Sequence, residues 1–316
     1  MSSQPGVNID ALAETPLWLQ VWGMKGPYIA FFALFLLLII LLMLLKDPLS
    51  RRRKFLESVK YGYLGVSFIY VGLVLKAQPT TTNIVIMVNA MKELKFPLGL
   101  YMLEPFIFLS FIFIFLTMII WGRGVFCGWL CPYGAMLELL NKFYKKIFPK
   151  VRQHLGKRPH YKLIYLKYAI FLMIIGVSFF SFILSEYLTE VEPFRTFVLK
   201  LAREWYFVLY FVVLTAGSVV VFRGFCRYMC PLGAALALPN FFTRLPLVKL
   251  RRYELCHVCK ICTEDCLPQA IKADGVIDTR ECLTCLECQL NYWDDEKCPV
   301  MIQEKRSGLV AQGGTG

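Results

Sequence analysis

Histidine is scarce in this chain, with only three occurrences among 316 residues. They are His154, His160 and His257, and all three fall outside the long apolar runs. A membrane-embedded b-type haem needs a pair of histidines on spanning helices, and c-type haem attachment needs a CxxCH sequence, which is absent. No GxGxxG sequence opens a strand–helix unit either. These absences argue against haem and against nicotinamide binding by this chain.

Charged residues are also few, at 18% of the chain, and their balance is strongly basic, with a formal net charge of +13. Hydrophobic residues make up 57%, and the mean hydropathy is +0.56. Such a composition is typical of a protein embedded in membrane lipid. Basic residues can also indicate nucleic-acid binding, but no aromatic–basic RNA or DNA motif accompanies them, so we predict no nucleic-acid partner. The positive charge is better explained by membrane topology.

Five segments are apolar enough to be transmembrane helices, because about 20 residues cross the hydrocarbon core. They lie near residues 26–45, 61–77, 105–122, 163–184 and 205–222. The polar N-terminal stretch has only Lys25 before the first span and no cleavage site typical of a signal peptide. We therefore expect the first span to be retained, and we expect an all-α polytopic membrane domain with about five transmembrane helices and an internal repeat.

The distribution of Lys and Arg between loops predicts the orientation of these spans. Both residue types are concentrated after the first and third spans, which places those loops in the cytoplasm. The loop 185–204 contains four glutamates and is predicted to face outward. We expect a multi-pass protein of the cell inner (cytoplasmic) membrane with a periplasmic N-terminal segment. The predicted domains are this segment, the transmembrane domain, a cysteine-rich domain and a flexible tail, at residues 1–25, 26–245, 246–305 and 306–316.

Two similar stretches follow long apolar runs: RGVFCGWLCPYG beginning at Arg123 and RGFCRYMCPLG beginning at Arg223. Each contains Arg-Gly, two cysteines four positions apart, Pro and Gly. The third and fifth spans run in the same direction, so both stretches emerge on the cytoplasmic side. Pro132 and Pro231 lack a backbone donor, which predicts a break where each helix leaves the bilayer.

The cysteines of this doubled motif, called the motif cysteines below, are Cys127, Cys131, Cys226 and Cys230. Residues four apart share one face of a helix, so each pair can present two sulfurs to one point. If the repeats meet around a pseudo-two-fold axis, four thiols converge near the cytoplasmic membrane face. They could hold a soft metal such as iron, copper or zinc, or form redox-active disulfides. The alternative is that small cysteines merely pack between helices. Duplication at matched spacing favours a functional site.

The cysteine-rich segment near the C-terminus, called the module below, contains two triplets, each followed by a fourth cysteine. The spacing C-x₂-C-x₂-C-x₃-C in the first is that of bacterial two-cluster ferredoxins, in which the fourth cysteine ligates the other cluster. Four-thiolate zinc sites usually come as two separated CxxC pairs, and a cytoplasmic module keeps its thiols reduced rather than in disulfides. The predicted ligands of the first [4Fe-4S] cluster are Cys256, Cys259, Cys262 and Cys298. Those of the second are Cys282, Cys285, Cys288 and Cys266.

The module departs from the ferredoxin pattern at two places. Leu267 separates Cys266 from Pro268, and the nine residues QLNYWDDEK precede Cys298. A longer loop there changes the exposure of a cluster but not the number of its ligands.

The doubled CxxxCP motif followed by this module resembles the NosR and NapH group of membrane-bound polyferredoxins, over residues 50–300. The stretch LTEVEPFRTF is similar to the NosR branch. The resemblance implies a small α+β bacterial-ferredoxin-like domain after the membrane domain. It also implies electron transfer between the quinone pool or a cytoplasmic donor and a periplasmic redox protein. Members of the group serve nitrous oxide reductase and periplasmic nitrate reductase in denitrification. NosR-type proteins carry an N-terminal flavin-binding domain, which we expect here as a separate subunit or not at all.

Two functions from different classes follow from these expectations. The first is an electron-transfer component, such as a quinol dehydrogenase subunit. The second is a membrane protein whose clusters sense redox state or support the assembly and maturation of a metal centre. A quinol site needs an apolar slot with a carboxylate or His that takes the proton. The candidates are Glu104, Glu186, Glu190 and Glu192, for which the alternative is a solvated loop position.

Overall fold

The computed structural model describes residues 16–92, 98–151, 153–242, 248, 259–272 and 274–306. Within these ranges the chain is helical and forms no β-strand; a single isolated antiparallel bridge joins Ile271 to Ile277. The helical part of the sequence prediction is confirmed. The α+β character expected of the module is limited to this bridge in the described residues.

The N-terminal part is a series of helices followed by a switch in helix type. Helices α1 to α4 are Leu17–Met24, Gly26–Leu44, Lys46–Ser50 and Arg53–Val66. Helix α4 passes directly into a π-helical segment of eight residues, Ser67–Val74, which lies in the middle of the span predicted at residues 61–77. A π-helix has a wider turn than an α-helix, so the side chains drift around the axis along this segment.

The rest of the first repeat, residues 53–147, contains helices α5 to α8. They are Thr81–Lys92, Leu98–Leu103, Pro105–Ile120 and Pro132–Ile147. A short π-helical turn, Phe126–Leu130, lies between α7 and α8. Pro105 and Pro132 begin their helices because a proline in the first turn lacks only an N–H that would have no intrahelical partner.

The second repeat, residues 157–242, has a similar plan with a longer first helix. Helices α9 to α15 are Lys157–Phe180, Phe182–Leu188, Phe194–Val198, Trp205–Val220, Gly224–Tyr228, Pro231–Ala237 and Pro239–Phe242. A 3₁₀ turn, Thr189–Val191, lies between α10 and α11. The module contributes α16 to α18, which are Ile261–Asp265, Glu287–Tyr292 and Pro299–Arg306.

In the described part of the chain, two helices are long and apolar enough to cross a membrane by length and composition, Gly26–Leu44 and Arg158–Phe180. Pro105–Ile120 and Trp205–Val220 are apolar but shorter, at 16 residues each. The count of five spans therefore stays a prediction. Large apolar side chains on these helices face outward; Leu37, Phe115 and Leu172 are 60–61% exposed.

The core between the repeats is aromatic and surrounds the doubled motif. The buried ring of Tyr133 receives edge-on contacts from Phe194, Phe197, Phe211 and Phe225. Edge-to-face packing of this kind adds to the free energy gained by burying apolar area. The CxxxCP motif thus lies in the centre of the packed structure rather than on its surface.

Candidate iron-sulfur and cysteine sites

Each pair of motif cysteines spans a break between two helical segments. Cys127 lies in the π-helical turn and Cys131 directly precedes α8. Cys226 lies within α13, and Cys230 precedes α14. The breaks predicted at Pro132 and Pro231 are present, because each proline starts a new helix.

All four motif cysteines nevertheless line one small enclosed cavity, called the motif cavity below. Its other lining residues are Arg123, Phe126, Phe194, Leu232, Gly233 and Leu283. The two repeats therefore meet at their cysteines. Among the described residues, no three His, Cys, Asp or Glu side chains are grouped as ligands of a single metal ion. A cluster of several irons spreads its thiolates more widely than one ion does. What the motif cysteines bind stays a prediction.

The arginines of the doubled motif cross from one repeat to the other. Arg123 Nη1 donates a hydrogen bond to the carbonyl oxygen of Gly233 at 3.0 Å, and Arg223 Nη1 donates to the carbonyl oxygen of Cys127. Both arginines are almost completely buried. A Cβ on Gly134 would lie only 3.0 Å from Arg223 Nη1, so the missing side chain makes room for the guanidinium. Each arginine of the motif thus binds a backbone carbonyl of the opposite repeat.

Each arginine also belongs to a buried ion cluster. Glu138 accepts from Lys60 Nζ at 2.6 Å and from Arg223. Although burial opposes ionisation, the charges of Lys60 and Arg223 hold the pKa of Glu138 below its ordinary value. This first ion cluster is formed within the two repeats.

The second ion cluster takes its carboxylate from the module. Glu281 accepts from Lys167 Nζ at 2.6 Å and lies 3.4 Å from Arg123 Nη2. Sequence reasoning missed Lys167, although a lysine inside a predicted span is itself a signal, since charge within a membrane is costly and is usually paired. Its partner, Glu281, lies outside the predicted spans, so its charge gave no such signal.

Two side chains from the loops predicted to face outward contact the motif in an equivalent manner. Gln78 Oε1 accepts from the backbone N–H of Tyr133 at 3.4 Å, and Glu192 Oε1 accepts from that of Leu232 at 3.3 Å. Tyr133 and Leu232 each follow the proline of a motif. Glu192 also accepts from the backbone N–H of Thr81 at 2.9 Å. Each loop therefore covers the start of the helix that follows its own Cys-Pro pair.

The candidate quinol carboxylates differ in burial. Glu104 is largely exposed, and Glu186 and Glu190 pair with Arg195 near the surface. Glu192 is buried, with 4% of its surface exposed, and it has no cationic partner among its hydrogen bonds. Burial raises the pKa of Glu192 to about 7. The solvated alternative is therefore wrong for Glu192.

In the module, the cysteines of the second triplet lie together with Cys266. Burial raises the pKa of Cys282 to about 11 and that of Cys285 to about 12, and in both the neighbouring charge of Cys266 adds to the increase. Backbone N–H groups point at two of the sulfurs, from Ala270 to Cys266 Sγ at 3.3 Å and from Thr284 to Cys282 Sγ at 3.4 Å. Buried thiols with such donors suit an iron-sulfur cluster.

Ligands of the first cluster are described only in part, because Cys256 lies outside the described residues. Cys259 is exposed, and Cys262 lies near the carbonyl oxygen of Cys288. Cys298 is buried and packs with Tyr292 and Met301. The grouping of Cys266 with the second triplet is what crossed ligation requires, and the ligation itself stays a prediction.

The second triplet of the module packs directly against the first repeat. A Cβ on Gly124 would lie 2.6 Å from the carbonyl oxygen of Cys282. A Cβ on Gly128 would overlap the carbonyl oxygen of Leu283. Trp129 Nε1 donates to the carbonyl oxygen of Thr284 at 3.0 Å. Leu283 itself lines the motif cavity. The segment 282–284, called the ligand loop below, therefore connects the predicted second cluster to the motif cysteines.

Two families of known proteins match separate parts of the chain. The family described as NosR matches residues 254–308, which contain the module. The family described as a 4Fe-4S binding domain matches residues 103–150 and 204–248, each of which contains one copy of the doubled motif. No solved structure matches the chain.

The chain is similar to two longer proteins over nearly all of its own length. The chain is 38% identical over 296 residues to the regulatory protein NosR of Pseudomonas aeruginosa, covering 93% of this chain and 41% of that protein. It is 37% identical over 304 residues to the protein NirI of Paracoccus denitrificans, covering 94% of this chain and 44% of that protein. The chain thus spans about two fifths of the length of these relatives.

A shorter NosR sequence from Pseudomonas aeruginosa is 47% identical over 81 residues, and the chain covers 80% of it. The similarity includes the doubled motif and the module in the longer relatives, since it extends over nearly the whole chain. This protein belongs to the NosR family of proteins with 4Fe-4S binding domains.

Proposed function

We propose that this chain is a membrane-bound iron-sulfur electron-transfer protein. It passes electrons between the quinone pool or a cytoplasmic donor and a periplasmic redox partner, in the nitrous oxide branch of denitrification. The observation that carries this proposal is the contact between two cysteine sites: the ligand loop abuts Gly124 and Gly128, and Leu283 reaches the motif cavity. Such a contact gives electrons a short path between the two sites.

The proposed centres are two [4Fe-4S] clusters in the module, ligated in the crossed manner, and a further metal centre at the motif cysteines. Iron-sulfur clusters supply one-electron carriers when they are bound. The 4Fe-4S family match over both repeats favours iron at the motif cysteines. The buried rings of Phe126 and Phe194 keep water away from this cavity, and Arg123 and Arg223 offset the negative charge of thiolates there.

The proposed topology has five spans, a periplasmic N-terminus and a cytoplasmic module, with the domain limits given above. Contacts of the motif support a site that is reached from both sides. Gln78 and Glu192 come from loops that are predicted to lie outside, whereas Glu281 comes from the module. Electrons from the cytoplasmic module would thus leave toward the outward loops, where a periplasmic redox protein, a flavin-binding subunit or a quinone can accept them.

A second candidate function is redox sensing or metal-centre assembly. It is supported by the name regulatory protein carried by the NosR relatives. A conduit sustains electron flow from donor to acceptor over many turnovers, whereas a sensor changes redox state once and stops.

The experiment adds a quinol analogue or dithionite outside sealed lipid vesicles that contain the iron-loaded protein and enclose ferricyanide, with empty vesicles as the control for reductant that crosses the lipid. We expect reduction of the clusters, followed by sustained turnover. A single stoichiometric reduction without turnover would instead favour the sensor. Reduction by dithionite but not by the quinol would remove quinol as the direct donor.

A further inference from the structure

The two repeats make equivalent lysine and arginine contacts around the motif, but they differ in the source of the carboxylate. Lys60 in the first repeat corresponds to Lys167 in the second, because each binds the carboxylate of an ion cluster that includes the arginine of the other repeat. Glu138 lies six residues after Pro132, and the residue six positions after Pro231 is Ala237. The second repeat therefore has a lysine and a crossing arginine but lacks the matching carboxylate.

Glu281 of the module replaces the missing carboxylate. Its two oxygens lie 2.6 and 2.7 Å from Lys167 Nζ, and one of them lies 3.4 Å from Arg123 Nη2. The side chains of Lys167 and Arg123 are 0% and 1% exposed. Two cations buried without an anion are strongly unfavourable, so this part of the membrane domain requires an acidic group from elsewhere.

Glu281 directly precedes the ligand loop in the sequence. The first residue of that loop, Cys282, is a predicted ligand of the second cluster. Trp129 and Lys60 also donate to backbone carbonyls of Thr284 and Cys285. The other carboxylates of the module that pair with the repeats lie farther from the ligand loop in sequence; they are Glu287 and Asp294, which pair with Arg53. Glu281 is thus the ionic contact that is nearest to the ligand loop in sequence.

We infer that Glu281 is a positioning residue: by completing the ion cluster that the second repeat leaves open, it holds the ligand loop against the motif cavity. Electron transfer between the module and the motif cysteines depends on this placement. With the groups bound, one electron would pass from a cluster held by Cys266, Cys282, Cys285 and Cys288 to a metal centre held by the motif cysteines, with no bond broken. The electron-transfer part rests on the proposed function; the placement of the loop does not.

The test compares full-length, iron-loaded protein with three variants. Glu281→Gln removes the negative charge, and Glu281→Gln with Ala237→Glu supplies a carboxylate from within the second repeat. Glu190→Gln is the matched control, since Glu190 also lies between two cations, Arg195 and Arg203, but far from the module in sequence. Amide hydrogen exchange over residues 282–286 reports loop placement. Freeze-quench paramagnetic resonance after mixing with dithionite reports electron transfer to the motif centre.

For Glu281→Gln we expect exchange over residues 282–286 to accelerate at least tenfold and electron transfer to slow at least tenfold, with unchanged iron and sulfide content. The double variant is expected to recover the thermal stability of the wild type while its loop exchange stays fast and its electron transfer slow. Because its buried cations are again paired, this variant also provides a folded protein if the single variant does not fold. Glu190→Gln should match the wild type in both measurements.

The inference would be overturned if Glu281→Gln showed the same amide exchange over residues 282–286 and the same electron-transfer rate as the wild type. Full recovery of the rate in the double variant would also overturn it, because the carboxylate would then act only through its charge. Fast loop exchange in Glu281→Gln, together with no electron transfer in the wild type, would uphold the placement of the loop and refute the proposed function instead.

Discussion

Arg223 donates a hydrogen bond to the carbonyl oxygen of Cys127, a residue of the opposite repeat. Arg123 makes the reciprocal bond to Gly233. Each copy of the motif therefore depends on the other for the position of its cysteine-bearing backbone. This exchange explains the arginine that precedes each pair of cysteines.

Replacement of Arg223 by Gln should destabilise the protein by about 3 kcal/mol, because it breaks a buried ion cluster and leaves the Cys127 carbonyl without this donor. Thermal unfolding of the purified protein in detergent measures the loss. Arg195→Gln is the control, since Arg195 is 40% exposed and its ion pairs should contribute less than about 1 kcal/mol. Equal losses in the two variants would contradict the structural role of the crossing arginine.

The motif cysteines should act as one unit. Replacing any one of Cys127, Cys131, Cys226 or Cys230 with Ser is expected to abolish electron transfer about as completely as replacing all four, because a partial site loses its centre. Reduction of ferricyanide enclosed in sealed vesicles, after dithionite is added outside, measures this. Four active single variants with small, additive losses of stability would show that the cysteines only pack between the helices.

Crossed ligation predicts which cysteine replacements are equivalent. Cys266→Ser and Cys285→Ser should remove the same cluster, so the double variant should lose no more iron than either single variant. Cys285→Ser with Cys298→Ser should remove both clusters. Iron and sulfide analysis with paramagnetic resonance of the reduced protein distinguishes these cases. Zinc in the purified protein, or a single cluster in fully loaded protein, would contradict the assignment of two [4Fe-4S] clusters.

Glu192 should make stability depend on pH. Burial raises its pKa from 4.5 to about 7, so the folded state binds this proton more tightly than the unfolded state does. The stabilisation from this proton is fully present below pH 4.5 and is lost as the pH rises through 7. The free energy of unfolding should fall by about 3 kcal/mol in total over this range. Thermal unfolding between pH 5 and about 8 measures the change.

Glu192→Gln should remove most of this dependence, because glutamine imitates the protonated acid and Gln78 already occupies the equivalent place in the first repeat. Glu190→Gln is the control. Although burial opposes ionisation, hydrogen bonds from Arg203 and Arg195 lower the pKa of Glu190, so its contribution is lost as the pH falls. An unchanged pH profile in Glu192→Gln would show that another group is responsible.

Local sequence patterns predicted the helices and the convergence of the motif cysteines, because both follow from apolar runs and a duplicated spacing. They did not predict the helix type at Ser67–Val74, a segment in which Gly72 lies close to Pro132 and Phe197. Local patterns also could not predict the partner of Arg123, since Glu281 lies 158 residues away along the chain. Comparison of Glu138 with Ala237 shows that a carboxylate is missing, but only the three-dimensional structure shows what replaces it.

The central claim is that electrons pass from the module through the motif cysteines to the outward loops. Its most direct test uses sealed lipid vesicles that contain the full-length, iron-loaded protein with the module facing outward and enclose ferricyanide. Impermeant dithionite is added outside, and reduction of the enclosed ferricyanide is followed by absorbance. We expect rapid reduction with the wild type and none above empty vesicles when the motif cysteines are replaced with Ser. Equal rates for the wild type and this quadruple variant would contradict the proposed path.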